Sequence, residues 1–202
     1  MSIITSIAEL EAIYGQTSDA SVIKVSARLT DGYRRVIEAS PLMALATSGP
    51  EGLDCSPRGD PGQAVTIKDD YTLVVPDRRG NNRIDSLRNI VRDSRVGLLF
   101  LIPGSNTTLR VNGRAQISVD PDLLQSLAMD GKPPRSAIVI SIGEVYFQCA
   151  RALMRARLWD PEAWPGADAV PSAGTLLREL SQDFDSHSYD RDWPERAKNS
   201  MW

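Results

Sequence analysis

Residues 96–119, VGLLFLIPGSNTTLRVNGRAQISV, decide the fold. The run 96–102 is apolar and ends at Pro103-Gly104, which predicts a buried strand closed by a turn. Residues 108–119 alternate apolar and polar side chains, as a strand with one buried face does. Two strands joined by so short a loop pair antiparallel, because a parallel pair needs a crossover of about a dozen residues. The centre of the chain is therefore predicted to be an antiparallel sheet.

Shorter segments on both sides extend this sheet and add helices. Further strands are predicted at residues 42–47, 53–57, 64–67, 71–75 and 137–147. Helices are predicted at residues 7–14, 31–39, 121–129 and 175–180, and one more begins near Asn82. A single helix between residues 75 and 96 cannot supply the crossovers of a parallel sheet, so the residues favour a small antiparallel barrel.

The composition excludes several classes of protein. With 42% hydrophobic and 24% charged residues among 202, the chain has the composition of an ordinary globular protein. A net charge of −3 argues against a broad nucleic-acid footprint. The first residues lack the basic and apolar pattern of a secretory signal, and no run approaches the roughly 18 apolar residues of a membrane span. We expect a cytoplasmic protein.

One histidine and two cysteines limit the chemistry of the side chains. His187 lies in a polar run, which disfavours a catalytic triad or a multi-histidine metal site. Cys55 and Cys149 belong to no CxxC pair, so neither a zinc ribbon nor a dithiol is supported. We expect no metal, and redox or transfer chemistry would have to come from a bound cofactor.

The basic residues are unusual in kind and in position. Of the 23, 19 are arginine, whose planar fork suits phosphate and carboxylate groups. Six of them fall between residues 78 and 95: Arg78, Arg79, Arg83, Arg88, Arg92 and Arg95. For the last three, the alternative to ligand binding is a solvated helix face whose arginines pair with Asp85 and Asp93.

A candidate anion site lies between residues 56 and 83. The segment 76–83 links a strand to the helix predicted near Asn82, and such a junction presents free backbone N–H groups to an anion. Arg83 in the first helical turn opposes the helix dipole, at a cost of about 0.3–1 kcal/mol, which a bound dianion would offset. Arg58 and Arg110, on strands predicted to be neighbours, could converge on the same place.

Five segments in order carry a family resemblance: DCSPRGDPG at 54–62, PDRRGNNR at 76–83, GLLFLIPG at 97–104, TLRVNGRA at 108–115 and LWDP at 158–161. Over about residues 30–162 the chain resembles the pyridoxamine 5′-phosphate oxidase-related, FMN-binding split-barrel proteins. The resemblance implies a six-stranded antiparallel split β-barrel and a homodimer with FMN at its interface. It also implies one FMN-binding domain over 1–202, with a helical N-terminal segment at 1–40 and an irregular or helical tail at 158–202.

The resemblance also implies roles for individual residues. Arg83 and Asn82 correspond to the phosphate-binding pair, and Asn81 lies beside them. Pro76, Asp77 and Arg78 would lie along the ribityl chain and ring, and Ser56 and Arg58 would contact the flavin from below. Thr108 would contact the ring, and Trp159 would reach the partner subunit's flavin.

Three functions remain open at this point. The first is an FMN-dependent oxidoreductase with a small substrate, in which the isoalloxazine performs the chemistry and no histidine is needed. The second is a non-catalytic FMN-binding module for storage, sensing or regulation. The third is a nucleic-acid or nucleotide-phosphate binder that uses the arginine-rich helix.

Overall fold

A seven-stranded antiparallel sheet forms the centre of the computed structural model, which describes residues 2–201. The strands lie side by side in the order β2-β1-β5-β6-β7-β4-β3. Their bounds are β1 (Leu42–Gly49), β2 (Gly52–Gly59), β3 (Thr66–Asp69), β4 (Thr72–Pro76), β5 (Arg95–Leu101), β6 (Thr108–Ser118) and β7 (Ala137–Gln148).

The mainly β, antiparallel class predicted from the sequence is confirmed. The sheet has seven strands rather than six, because the short hairpin partner β3 adds one at an edge. Within residues 2–201 the two outer strands, β2 and β3, do not pair with each other, so the hydrogen-bonded ladder does not close.

Helices precede, interrupt and follow the sheet. In the described residues they are α1 (Ile7–Tyr14), α2 (Asp19–Ile23), α3 (Asp31–Glu38), α4 (Asp85–Arg92), α5 (Pro121–Ser126), α6 (Arg151–Arg155), α7 (Ala173–Leu180), α8 (Ser186–Arg191) and α9 (Trp193–Ser200). Short 3-10 turns at Pro161–Ala163 and Ala167–Ala169 connect α6 to α7.

Local sequence signals account for the ends of several helices. The Ser6 side chain accepts a hydrogen bond from the Glu9 N–H at the start of α1, and Gly15 ends that helix with a φ of 68°. Thr30 caps α3 in the same way through the Tyr33 N–H. α5 ends at Ser126, three residues earlier than predicted, because Met129 forms a bridge with Lys132 instead of a further helical turn.

The core lies between the sheet and two helices. β5, β6 and β7 contribute alternate apolar side chains, and α3 and α4 cover them with Ile37 and Ile90. The largest buried side chains of the three strands are Leu98, Phe100, Leu109, Ile138 and Ile140. Residues 96–119, which set the expected fold, thus supply the centre of the core.

The sheet curls so strongly that distant strands meet through their side chains. In a flat sheet β2 and β4, five strand spacings apart, would be separated by about 24 Å. Nevertheless, Arg58 on β2 bonds to Asp77 immediately after β4, with an N–O distance of 2.9 Å. The curling brings the end of β2 beside the end of β4.

No helix within residues 2–201 combines the length and the apolar content needed to cross a lipid bilayer.

The longest strand pair, between β6 and β7, depends on one glycine. At the register shift beside Gly113, a Cβ atom would lie 2.2 Å from the backbone oxygen of Ser141. We expect Gly113→Ala to lower the free energy of unfolding by about 1–3 kcal/mol, measured by urea denaturation, because backbone must shift to admit the methyl group.

Gly166→Ala is the matched control for that substitution. Gly166 has a φ of −59° and open space around its Cβ position, so the free energy of unfolding should change by less than about 0.5 kcal/mol. Equal effects of the two substitutions would contradict the close approach of β7 to Gly113.

Candidate functional site

A cavity of about 570 Å³ opens where β2 ends, β4 ends, α4 begins and β7 begins. The antiparallel pairing of Pro76 with Ala137 puts the loop after β4 beside the segment before β7, and the curled sheet adds β2. Seven residues predicted from the sequence meet in its lining: Ser56, Arg58, Asp77, Arg78, Asn81, Asn82 and Arg83.

A hydrogen-bonded network fixes the floor of the cavity. Asp54, Ser56 and Arg58 are alternate residues of β2 and share one face. The Ser86 hydroxyl donates to an Asp54 carboxylate oxygen at 2.5 Å and accepts from Arg58 Nη2 at 3.1 Å. Arg58 Nη1 donates to Asp77 at 2.9 Å, whereas the buried Nε has no acceptor within residues 2–201. Such an orphaned donor is typical of a site that binds a ligand or water.

A second ion pair lies beside the first. Arg78 donates through Nε and Nη2 to the Asp60 carboxylate at 2.8–3.1 Å, and through Nη1 to the Leu127 carbonyl at 2.7 Å. The Arg78 and Asp60 side chains are only 16% and 9% exposed. Arg58–Asp77 and Arg78–Asp60 therefore join β2 and its following turn to the loop after β4.

The loop 80–84 has an unusual backbone. Asn82 and Ile84 both lie in the left-handed region, with φ of 60° and 53°. This region is strained for a β-branched residue such as Ile84. No acceptor for the backbone N–H groups of Gly80, Asn81 and Asn82 occurs in the described part of the chain. Strain and free N–H groups at the mouth of a cavity are features of anion-binding loops.

The predicted start of α4 near Asn82 is wrong. A left-handed residue cannot continue a right-handed helix, so α4 begins at Asp85, after Ile84. Arg83 precedes the helix instead of lying in its first turn. Its Nε donates to Asp85 at 2.8 Å, and this contact raises the pKa of Arg83 above its usual value. The guanidinium is 76% exposed, so it is free to turn toward a ligand.

Three arginines that line the two cavities have no carboxylate partner in the part of the chain that the structure describes. Arg79 and Arg135 line the cavity without an ion pair among the described residues, although Arg135 donates to Asn82 Oδ1 at 3.1 Å. The third, Arg196, lies across an adjoining cavity of about 1070 Å³, which Pro76 also lines. The sequence analysis missed Arg135 and Ser86. The signal that could have found Arg135 is the β4–β7 pairing, whose register continues to place it beside Arg78.

Three other predicted residues lie outside both cavities. Thr108 is 2% exposed on β6, Arg110 donates to the Tyr146 hydroxyl at 3.2 Å, and Trp159 Nε1 donates to the Ser105 carbonyl at 2.7 Å. The prediction that Arg58 and Arg110 lie on neighbouring strands is wrong. β1 pairs with both β2 and β5, and therefore β2 and β6 are separated by two strands.

Two of the three arginines on α4 and β5, Arg92 and Arg95, are paired with carboxylates, whereas Arg88 has no ion pair within residues 2–201. Arg95 pairs with Asp93 as predicted, which lowers the pKa of Asp93. Arg92 pairs with Glu51, because the β1–β2 turn lies beside the end of α4, and Asp85 pairs with Arg83 instead. These contacts favour a solvated, ion-paired face over a ligand site at Arg92 and Arg95.

The chain is similar to several solved structures. HupZ of Group A Streptococcus is 16% identical, with 59% of this chain and 93% of that chain covered and a TM-score of 0.49. A candidate pyridoxamine 5′-phosphate oxidase of Lactobacillus delbrueckii is 24% identical, with 60% of this chain and 95% of that chain covered and a TM-score of 0.49. General Stress Protein 26 of Bacillus anthracis is 16% identical, with 56% of this chain and 88% of that chain covered and a TM-score of 0.44. No curated protein matches the chain.

The family comparison covers the part of the chain that builds the cavity floor. The family model of pyridoxamine 5′-phosphate oxidase matches residues 29–149, which are more than half of the sequence. The match runs from before α3 to the end of β7. This range includes the network around Arg58, the Arg78–Asp60 pair and the strained loop. The chain belongs to the pyridoxamine 5′-phosphate oxidase family.

Proposed function

We propose that this protein is an FMN-dependent oxidoreductase acting on a small substrate, and that it works as a cytoplasmic homodimer with FMN at the subunit interface. The observation that carries the proposal is the anion-binding character of the 570 Å³ cavity. In residues 2–201, the N–H groups of residues 80–82 have no acceptor, and the guanidinium groups of Arg79 and Arg135 have no carboxylate partner.

The charge of the cavity suits a phosphate dianion. Five of the lining residues are arginines and three are aspartates, although the whole chain carries −3. Arg83, Asn81 and Asn82 would hold the phosphate, with Arg79 and Arg135 beside them. The volume lies within the roughly 300–1,000 Å³ of typical small-molecule sites.

The chain's own residues position the cofactor and shape its surroundings. Asp77 and Arg78 are fixed by ion pairs, so they offer an ordered edge along which the ribityl chain and ring would lie. Ser56 and Arg58 would contact the ring from the floor. Bound FMN would supply the electron transfer, which is why a chain with one histidine can support redox chemistry.

The three implied residues outside the cavity fit a role in a dimer. In the proposed homodimer, Trp159 and Arg110 of each subunit reach the flavin held by the other, and Thr108 supports that part of β6 from its buried position. In this arrangement, each subunit would cover the open cavity of the other.

The space beside the cavity favours an enzyme over a storage or sensing module. The C-terminal helices line the adjoining 1070 Å³ cavity but do not fill it. A substrate could therefore approach the ring. Nucleic-acid binding by the arginine-rich helix has less support, because Arg92 and Arg95 are held by acidic side chains.

The identity of the cofactor is the first test. Purified protein should be yellow and should release on denaturation a compound with the absorbance and mass of FMN. A colourless protein that takes up no added FMN, or one that releases FAD or a deazaflavin, would contradict the proposal.

Arg83→Ala should weaken FMN binding about 10- to 100-fold, because it removes a charge-assisted contact to the phosphate. Arg92→Ala is the matched control, since Arg92 is also exposed and paired with one carboxylate, and its effect should stay below about twofold. Fluorescence titration of FMN measures both. Equal losses would indicate a diffuse effect of charge and would count against a phosphate site at Arg83.

Sedimentation velocity tests the dimer. The flavin absorbance should sediment with a species of twice the chain mass of 22.1 kDa. Flavin that sediments with a monomer would rule out a site completed by the partner subunit.

A further inference from the structure

One face of α9 forms a wall of the 1070 Å³ cavity. Four residues of α9, together with the residue that follows it, line the cavity at the spacing i, i+3, i+4, i+7 and i+8 that places side chains on one side of a helix. They are Trp193, Arg196, Ala197, Ser200 and Met201.

This face does not pack as a core helix would. None of the residues of α9 is buried, and the face combines a cation and an aromatic ring with small and polar side chains. The opposite wall of the cavity consists of the ends of β2 and β4 and the loop 78–82. α9 therefore faces the proposed cofactor region across open space.

Arg196 is held in place by aromatic rings. Its Cζ lies 4.3 Å from the ring centroid of Tyr189 and 5.2 Å from that of Trp193. Tyr189 in turn packs against Phe184, with ring centroids 5.3 Å apart. An arginine stacked on a ring keeps its N–H donors at the edge of the guanidinium plane, available to an acceptor.

The donors of Arg196 are nearly unused. In the described residues, the guanidinium group donates one hydrogen bond, from Nη2 to the Tyr189 carbonyl at a long 3.5 Å. No carboxylate within those residues forms an ion pair with it. By contrast, the neighbouring Arg191 pairs with Asp192. A preordered, unpaired cation that lines a cavity is suited to an anionic ligand.

We infer that Arg196 determines substrate specificity by binding an anionic group of the substrate, a carboxylate or a phosphate. The inference rests on the proposed function, which assigns the FMN phosphate to Arg83 in the adjoining cavity, with Arg79 and Arg135 on the wall opposite α9. A cation on the α9 wall then matches a second negative group, on the substrate side of the ring.

The test compares substitutions on two sides of α9. Arg196→Ala removes the cation, Arg196→Lys keeps the charge without the planar fork, and Lys198→Ala is the control because Lys198 lies two residues on, away from the cavity face. Isothermal titration of the flavin-containing protein uses benzoate and phenyl phosphate as probes, with benzyl alcohol as the uncharged counterpart. The anion that binds more tightly identifies the group that the site prefers.

Wild-type protein and Lys198→Ala should bind at least one of the two anions more tightly than benzyl alcohol. Arg196→Ala should weaken that binding about tenfold or more, and Arg196→Lys should restore part of it. FMN affinity should change less than about twofold, and unchanged circular dichroism shows that α9 still folds.

Three results overturn the inference: wild-type protein binds neither anion, Arg196→Ala behaves as Lys198→Ala does, or Arg196→Ala weakens FMN as strongly as the probe. If the protein takes up no FMN but Arg196→Ala still abolishes anion binding, the proposed function fails and the anion site stands.

Discussion

The Arg58–Asp77 and Arg78–Asp60 ion pairs determine how the two ends of the sheet meet. Backbone hydrogen bonds order the strands from β2 to β3 but do not join β2 to β4. These side chains, between 9% and 21% exposed, make that connection instead. Loss of one partner from a fully buried ion pair typically costs about 3–5 kcal/mol because the remaining charge stays desolvated, and the cost is smaller for these partly buried pairs. The geometry of the cavity therefore depends on both pairs.

Burial and ion pairing together separate the arginines that hold the floor from those that we propose to bind a ligand. Arg58 and Arg78 are neutralised by aspartates, so they maintain the floor and contribute little net charge. Arg79, Arg135 and Arg196 have no such partner in residues 2–201 and come from three different segments. An anion bound among these three guanidinium groups would offset the repulsion between their positive charges. A ligand with negative groups would thus stabilise the folded protein as well as occupy the site.

The sequence predicted what depends on local pattern and missed what depends on pairing in space. Alternation along residues 108–119 identified β6, and the segments around Arg58 and Asn82 located the cavity. The left-handed Ile84, which delays the start of α4, has no sequence signal, because isoleucine rarely adopts that conformation. Arg135 and Arg196 reach the site only through the β4–β7 ladder and the packing of α8 with α9. Thr108, Arg110 and Trp159 line neither cavity of the single chain, so any contact with the flavin would need the proposed second subunit.

Only one of the two walls of the larger cavity is built from the residues that match the family. The floor and the loop after β4 lie within residues 29–149, the part shared with the family, whereas α9 lies beyond it. The ion pairs that hold the floor involve no residue of α9. Substitutions on the cavity face of α9 can therefore change the charge and shape presented to a substrate without disturbing the sheet or the proposed phosphate loop. In this chain the proposed cofactor site and the charge presented to a substrate are therefore set by different segments, and Arg196 is the residue inferred to set that charge.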